Sequence, residues 1–200
     1  MISVLVLAAG LGTRMRALKP LLDVGGVPSL ARVLAAIDGA GIDHVIVVLG
    51  RDADLIANRV NLSRAHIVHN LEPENGLASS LALGLAQLPP PSSGVLVFHA
   101  DMPFIQSATV RAVCRLAEDG ARIAAPRFGE LRGFPVYFSR ACIAPLGATL
   151  SGDSGGRRFI ERNPRCLELV DVSNSGCTRD LDSPEDLTPC EKEATWTTCA

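Results

Sequence analysis

Unbroken apolar runs, each followed by a stretch of helical periodicity, constrain this chain most. Val4, Leu5, Val6 and Leu7 form the first run, and "HVIVVLG" (44–50), "AHIVHN" (65–70) and "GVLVFHAD" (94–101) supply the next ones. Between them Leu30, Val33, Leu34 and Ile37 recur at i, i+3, i+4 and i+7, a helical stripe. Leu77, Leu81, Leu85 and Leu88 mark another, and Val110, Val113, Cys114 and Ala117 a third. A weaker helix is expected over 53–60. Gly39-Ala40-Gly41 and Pro89-Pro90-Pro91 stop the first two stripes. A strand that is apolar at every position must be covered on both faces. The pattern therefore predicts an α/β, three-layer, Rossmann-like domain with a mainly parallel central sheet and helices on both faces. Beyond residue 120 the rhythm loosens into "ARIAAP", "FPVYFS", a Gly-rich "SGDSGG" and "LELVDV". Those pieces predict a sheet extended by irregular or antiparallel segments.

The 200 residues suit one domain. With 48% hydrophobic and 20% charged residues the chain reads as globular. We place the domain at residues 1–187 and expect a polar, loosely ordered tail over 188–200, where Trp196 is the large apolar residue. A net charge of −2 gives no global attraction to nucleic acid or to an anionic membrane, so neither is expected as a partner. No apolar run reaches the roughly 18–20 residues that span a bilayer. The opening run is short and has no basic leader, and the six cysteines are scattered without metal-ligand spacing. A cytoplasmic location is the expectation.

The loop after the first run carries the chemistry. "LVLAAGLGTRMRALKPLLDVGG" (5–26) takes an apolar strand into glycines, Arg14, Arg16 and Lys19. In an open parallel sheet, ligands sit beyond the carboxyl ends of the strands. A dinucleotide fingerprint requires a third small residue after Gly10 and Gly12, where this chain has Met15. It also requires an acid at the tip of the second strand, where this chain has Leu49-Gly50-Arg51. A triphosphate uses every part: Gly10 and Gly12 let backbone N–H groups ring a phosphate, Arg14 offers a planar fork and Lys19 a point charge. The loop is not a Walker A motif.

"LAAGLGTRMRALKPLL" resembles the nucleotidyltransferase signature LAAGxSxRMGxxKLL. The resemblance continues through "ENGLASSLALGL" (74–85), "ADMPFI" (100–105), "RGFPVYF" (132–138), "SGDSGGRRFI" (151–160) and "RDLDSPEDL" (179–187). In that order the set is similar to the molybdenum-cofactor cytidylyltransferases and their MobA-like relatives, over residues 2–187. The resemblance implies a Mg²⁺-dependent transfer of a nucleoside monophosphate, with pyrophosphate released. It implies Arg14, Lys19 and Asp101 as catalytic groups. Ala8, Ala9, Gly10, Leu11, Gly12, Thr13, Asn75, Gly76, Ser79 and Ser80 would bind nucleotide. Arg132, Phe134 and Asp153 would face the acceptor.

Several residues carry a plainer alternative. Asp101 at a strand exit is either a metal ligand or a turn residue. A second carboxylate is expected from Asp180 or Asp182, which strand alternation would set on one side. Asp182 before Ser183-Pro184-Glu185 also reads as a helix start. Ser79 and Ser80 serve either a base pocket or an ordinary helix surface. Ala8-Ala9-Gly10 matches the cytidylyl form of the motif, so CTP is the expected donor and a phosphorylated, molybdopterin-type compound the expected acceptor. A molybdoenzyme or its chaperone is the implied protein partner. Guanylyl or sugar-phosphate transfer, or non-catalytic nucleotide binding, are the alternatives. The family reads RGHPV where this chain has "RGFPV", so Phe134 predicts poor use of molybdopterin or a less polar acceptor.

Overall fold

The computed structural model describes residues 1–10, 17–182 and 186. Its sheet opens with β1 (Ile2–Ala8), β4 (Val45–Leu49), β5 (Ala65–His69) and β6 (Gly94–His99), all mutually parallel. A two-stranded ribbon, β2 (Asp23–Val24) and β3 (Val27–Pro28), follows the first loop. After it come α1 (Ser29–Asp38), α2 (Ala53–Ala57), α3 (Leu77–Ala86) and α4 (Ser107–Glu118). The second half adds β7 (Ile123–Phe128), β8 (Leu131–Arg132), β9 (Val136–Ser139), α5 (Arg140–Gly147), α6 (Arg157–Arg162) and β10 (Leu167–Asp171). The main sheet runs β10-β7-β9-β6-β1-β4-β5, with β8 paired to β7.

The predicted departure beyond residue 120 is two reversed strands, the short β8, antiparallel to β7, and β9. β9 is antiparallel to both β6 and β7, and the parallel sense resumes at β10. The predicted runs are trimmed where polar or small residues end them: the helix expected over 53–60 is Ala53–Ala57, and the fourth run stops at His99. The tail over 188–200 lies outside the described residues.

Alternation along β1 divides the core. Val4, Val6 and Ala8 face α1, α2 and α4, through Leu30, Ile37, Ile56 and Val110. Leu5, Leu7 and Ala9 face α3, α5 and α6, through Leu81, Leu85, Leu146 and Ile160. Each fully buried aliphatic side chain contributes roughly 1.5–3 kcal/mol to that packing. Helix α3 lies unusually close to β1, because a Cβ on Gly84 would stand 2.2 Å from a Leu5 methyl.

Candidate active site

Beyond the carboxyl ends of β1, β5 and β6 lies an open cleft of about 390 Å³. Its floor is the exit of β1, where Ala8 and Ala9 are buried and Gly10 follows. One wall is Pro73, Glu74, Gly76 and Ser80; the far end is Lys19, Asp101 and Asp182.

That far end is one ionic cluster. The ammonium of Lys19, at the start of a single 3-10 turn (Lys19–Leu21), donates to Asp101 Oδ2 at 3.0 Å and to Asp182 Oδ1 at 2.5 Å. Burial disfavours the Lys19 charge, but the bonds to Asp182 and Asp101 outweigh it and raise its pKa above 10.5. The ammonium therefore stays charged through the neutral range, and these pairs are lost only as pH climbs through that raised value. Asp101 and Asp182 are hard oxygen donors converging on one cation, the donor type that Mg²⁺ and Mn²⁺ take together with phosphate oxygens and water. Among the described residues no set of three or more His, Cys, Asp or Glu side chains gathers at one point.

The backbone around Asp101 is fixed from three sides. The Ala100 N–H donates to the Leu7 carbonyl at 3.0 Å, extending the β1–β6 pairing by one bond. The Ser29 hydroxyl, at the start of α1, donates to the Ala100 carbonyl at 2.6 Å. The Leu181 N–H donates to the Asp101 carbonyl at 2.9 Å, and the Leu181 side chain is fully buried with Val24 and Phe104. This anchor decides between the paired aspartates. Residues 180–182 are not a strand, so strand alternation does not apply there. With Leu181 locked inward, the Asp182 carboxylate reaches Lys19. Partial burial raises the Asp180 pKa, neighbouring Asp182 and Asp101 add to the rise, and Lys19 opposes it. The Asp182 N–H donates to the Asp186 carboxylate at 3.0 Å. The helix-start alternative for Asp182 turns on residues 183–185, outside the described set.

The nucleotide-side expectations divide. Ala8, Ala9, Gly10, Gly76 and Ser80 border the cleft. Asn75 does not: it is exposed and its amide donates to Glu72 at 2.7 Å. Ser79 also turns away, its hydroxyl donating to the Gly76 carbonyl at 2.8 Å. Leu11, Gly12, Thr13 and Arg14 lie outside the described residues. The sequence reading missed Asn70, which is buried at the end of β5. Its N–H donates to the Leu49 carbonyl, its amide to the Ser79 and Ser80 hydroxyls, and its Oδ1 accepts from the Glu72 N–H. Every polar atom is used, so the 70–80 wall has one position. An Asn directly after a β-rich run, ahead of a glycine-linked helix start, was the available signal.

The acceptor-side residues are separated. Asp153 borders the main cleft and accepts from the Leu77 N–H at 3.2 Å, capping α3 from a distant loop. Gly76, at φ +85°, is required by that approach: a Cβ there would meet Asp153 Oδ1 at 2.6 Å. Arg132 and Phe134 instead border a second recess of about 130 Å³. The two recesses share Leu7, Leu77 and His99 as a wall. His99 stands edge-on to Phe134 with ring centroids 4.6 Å apart. Burial lowers the His99 pKa against the opposing pull of Asp101 and Asp180, with Lys19 adding to the decrease.

Comparison with known proteins fits this geometry. Nicotine blue oxidoreductase of Paenarthrobacter nicotinovorans is 29% identical over 190 residues, covering 91% of this chain and 92% of that protein. The crystal structure of Rv0371c from Mycobacterium tuberculosis H37Rv has 27% identity and a TM-score of 0.82, covering 92% of this chain and 94% of that one. Another structure of Rv0371c is a complex with manganese. A nucleotidyl transferase from Methanothermobacter thermautotroptrophicus shows 26% identity and a TM-score of 0.79, covering 93% of this chain and 94% of that one. The model of the MobA-like NTP transferase domain matches residues 4–167, from the first core residue of β1 to the start of β10. The match takes in Lys19 and Asp101, which meet at 3.0 Å, and the chain belongs to the MobA-like NTP transferase domain family.

Proposed function

We propose that this protein is a Mg²⁺-dependent nucleotidyltransferase that moves CMP from CTP to a phosphorylated acceptor of molybdopterin type, releasing pyrophosphate. The observation that carries the reading is the convergence of Lys19, Asp101 and Asp182 at one end of a cleft floored by Ala8, Ala9 and Gly10. The base lies over the β1 exit against Ser80, and the phosphates run toward Lys19. An acceptor phosphate oxygen attacks the α-phosphorus in line; the bond from that phosphorus to the bridging oxygen breaks, and pyrophosphate leaves with its electron pair. Lys19 moves from its carboxylates to the α-phosphate and stabilises the charge that grows there. Arg14, assigned from the motif, contacts the leaving pyrophosphate. A divalent ion held by Asp101 and Asp182 supplies charge neutralisation of the phosphates. Positioning and electrostatics carry the chemistry, and no protein nucleophile is needed.

A panel of triphosphates and acceptors, read by pyrophosphate release, tests this. CTP with a phosphorylated pterin should release pyrophosphate faster than GTP or sugar phosphates. Nucleotide protection against unfolding without pyrophosphate would identify a binding module. A redox turnover without pyrophosphate release would place the protein with the oxidoreductase relative by reaction as well as by sequence.

A further inference from the structure

The sheet ends on one side at β5, which among the described residues pairs with β4 alone. The Asn70 N–H donates to the Leu49 carbonyl, so the backbone groups of His66, Val68 and Asn70 turn toward β4. Those of Ile67 and His69, with the Ala65 carbonyl, turn outward, while the Ala65 N–H donates to the Leu62 carbonyl at 2.9 Å. An open edge is a template for another strand, and proteins guard such edges with charge or proline. The opposite edge strand, β10, carries Glu168 and an Asp171 that accepts from Arg127. β5 reads AHIVH, without Asp, Glu, Lys, Arg or Pro.

Two apolar features flank this unguarded edge. At the amino end of β5, away from the main cleft, a recess of about 200 Å³ is lined by Leu34, Ile37, Ile42, Leu62 and Ala65. The charges on its rim engage one another, Arg64 donating to Asp38 and, at 3.1 Å, to Asp43. Past the carboxyl end stands Leu71, 80% exposed, more than any other large apolar side chain among the described residues. Carrying the strand's alternation two residues on sets Leu71 on the face of Ala65 and Ile67, which is the face of the recess.

We propose that β5 pairs antiparallel with β5 of a second copy of this chain, joining two sheets into one, with each Leu71 seated in the other copy's recess. A two-fold axis normal to the sheet reverses the strands and keeps like faces together. With Ile67 on that axis, Ile67 exchanges both bonds with its counterpart and each His69 N–H meets an Ala65 carbonyl. Leu71 then comes opposite Ser63 of the second copy, at the recess. A knob at one end of an edge and a hole at the other, on one face, become self-complementary about such an axis. Leu71 leads directly into Pro73 and Glu74 of the main cleft, so the second copy braces that wall.

Sedimentation velocity of the full chain tests the proposal. The wild-type protein should sediment as a dimer. Leu71→Asp should raise the dimer dissociation constant at least about 100-fold, because two leucines leave apolar recesses at once. Its circular dichroism should match the wild-type spectrum, since the side chain is exposed in the single chain. Leu71→Met should keep the dimer. A double variant, Ser63→Cys with Leu71→Cys, should on oxidation yield a disulfide joining the two peptides, found by mass spectrometry. Within one chain these positions lie at opposite ends of β5, so that link forms only between copies. A wild-type chain that stays monomeric at about 100 µM, whatever else binds this edge, would overturn the proposal. So would a dimer that Leu71→Asp leaves intact, or one in which the link between residues 63 and 71 does not form. Pyrophosphate release plays no part in these readouts, so this proposal and the nucleotidyl-transfer reading fail separately.

Discussion

The two recesses on either side of His99 are built by different rules. The main cleft of about 390 Å³ is made at strand exits, where backbone and short polar side chains are held by dense hydrogen bonding. Asn70, Ser29 and the Leu181 N–H each close a bond that fixes a neighbouring functional residue. The smaller recess of about 130 Å³ is made by packing, with apolar side chains from one face of β6 and β9 and charge confined to two arginines. One is lined by charged groups and backbone, the other by apolar side chains with two arginines at its edge. Electrostatic sites lose most when a single charge is removed, whereas apolar pockets discriminate by smaller increments.

The largest expected effect therefore belongs to the main cleft. Asp101→Ala should lower turnover by roughly 10²–10³-fold while the protein stays folded. Steady-state kinetics at limiting Mg²⁺ check this; wild-type turnover there would remove Asp101 from the chemistry. Phe134→His comes next. It restores the family's imidazole on the acceptor side and should raise kcat/KM for a phosphorylated pterin by about 10- to 150-fold. If the histidine variant is no better, residue 134 does not set acceptor choice.

Ala9→Gly addresses the donor. CTP should be preferred over GTP by about one to two orders of magnitude in the wild-type protein, and the variant should narrow that ratio. A wild-type preference for GTP would contradict the base assignment. The smallest effect is expected for Leu181→Val, which removes one buried methylene and should cost about 1 kcal/mol in denaturant unfolding. An unchanged midpoint would show that Leu181 does not anchor the segment carrying Asp182.

This contrast also separates what the sequence discloses from what it conceals. The strands β1, β4 and β6 are legible because their central positions are apolar, as a parallel strand covered on both faces needs, whereas the edge strand β5 carries an exposed His66. Lys19 and Asp101 are legible because they sit at fixed offsets from those strands. Asp182 is not separable from Asp180 by pattern, since the choice depends on Leu181 finding Val24 and Phe104 from a distant segment. Asn70 is concealed for a similar reason: its partners Ser79 and Ser80 become neighbours only once α3 folds back on β5. The reversed β9 is a long-range outcome as well. At Asn75 and Ser79, where motif position suggests a ligand contact, the side chains are held in local hydrogen bonds.

The central claim is that the Lys19–Asp101–Asp182 end of the cleft transfers a nucleotidyl group. The most direct measurement follows label from CTP carrying ³²P at either the α or the γ position, with a phosphorylated pterin and Mg²⁺. The account predicts that α-label appears in the acceptor product, that γ-label appears in pyrophosphate, and that Asp101→Ala suppresses both. Movement of γ-label to the acceptor, or label transfer that survives Asp101→Ala unchanged, would contradict it.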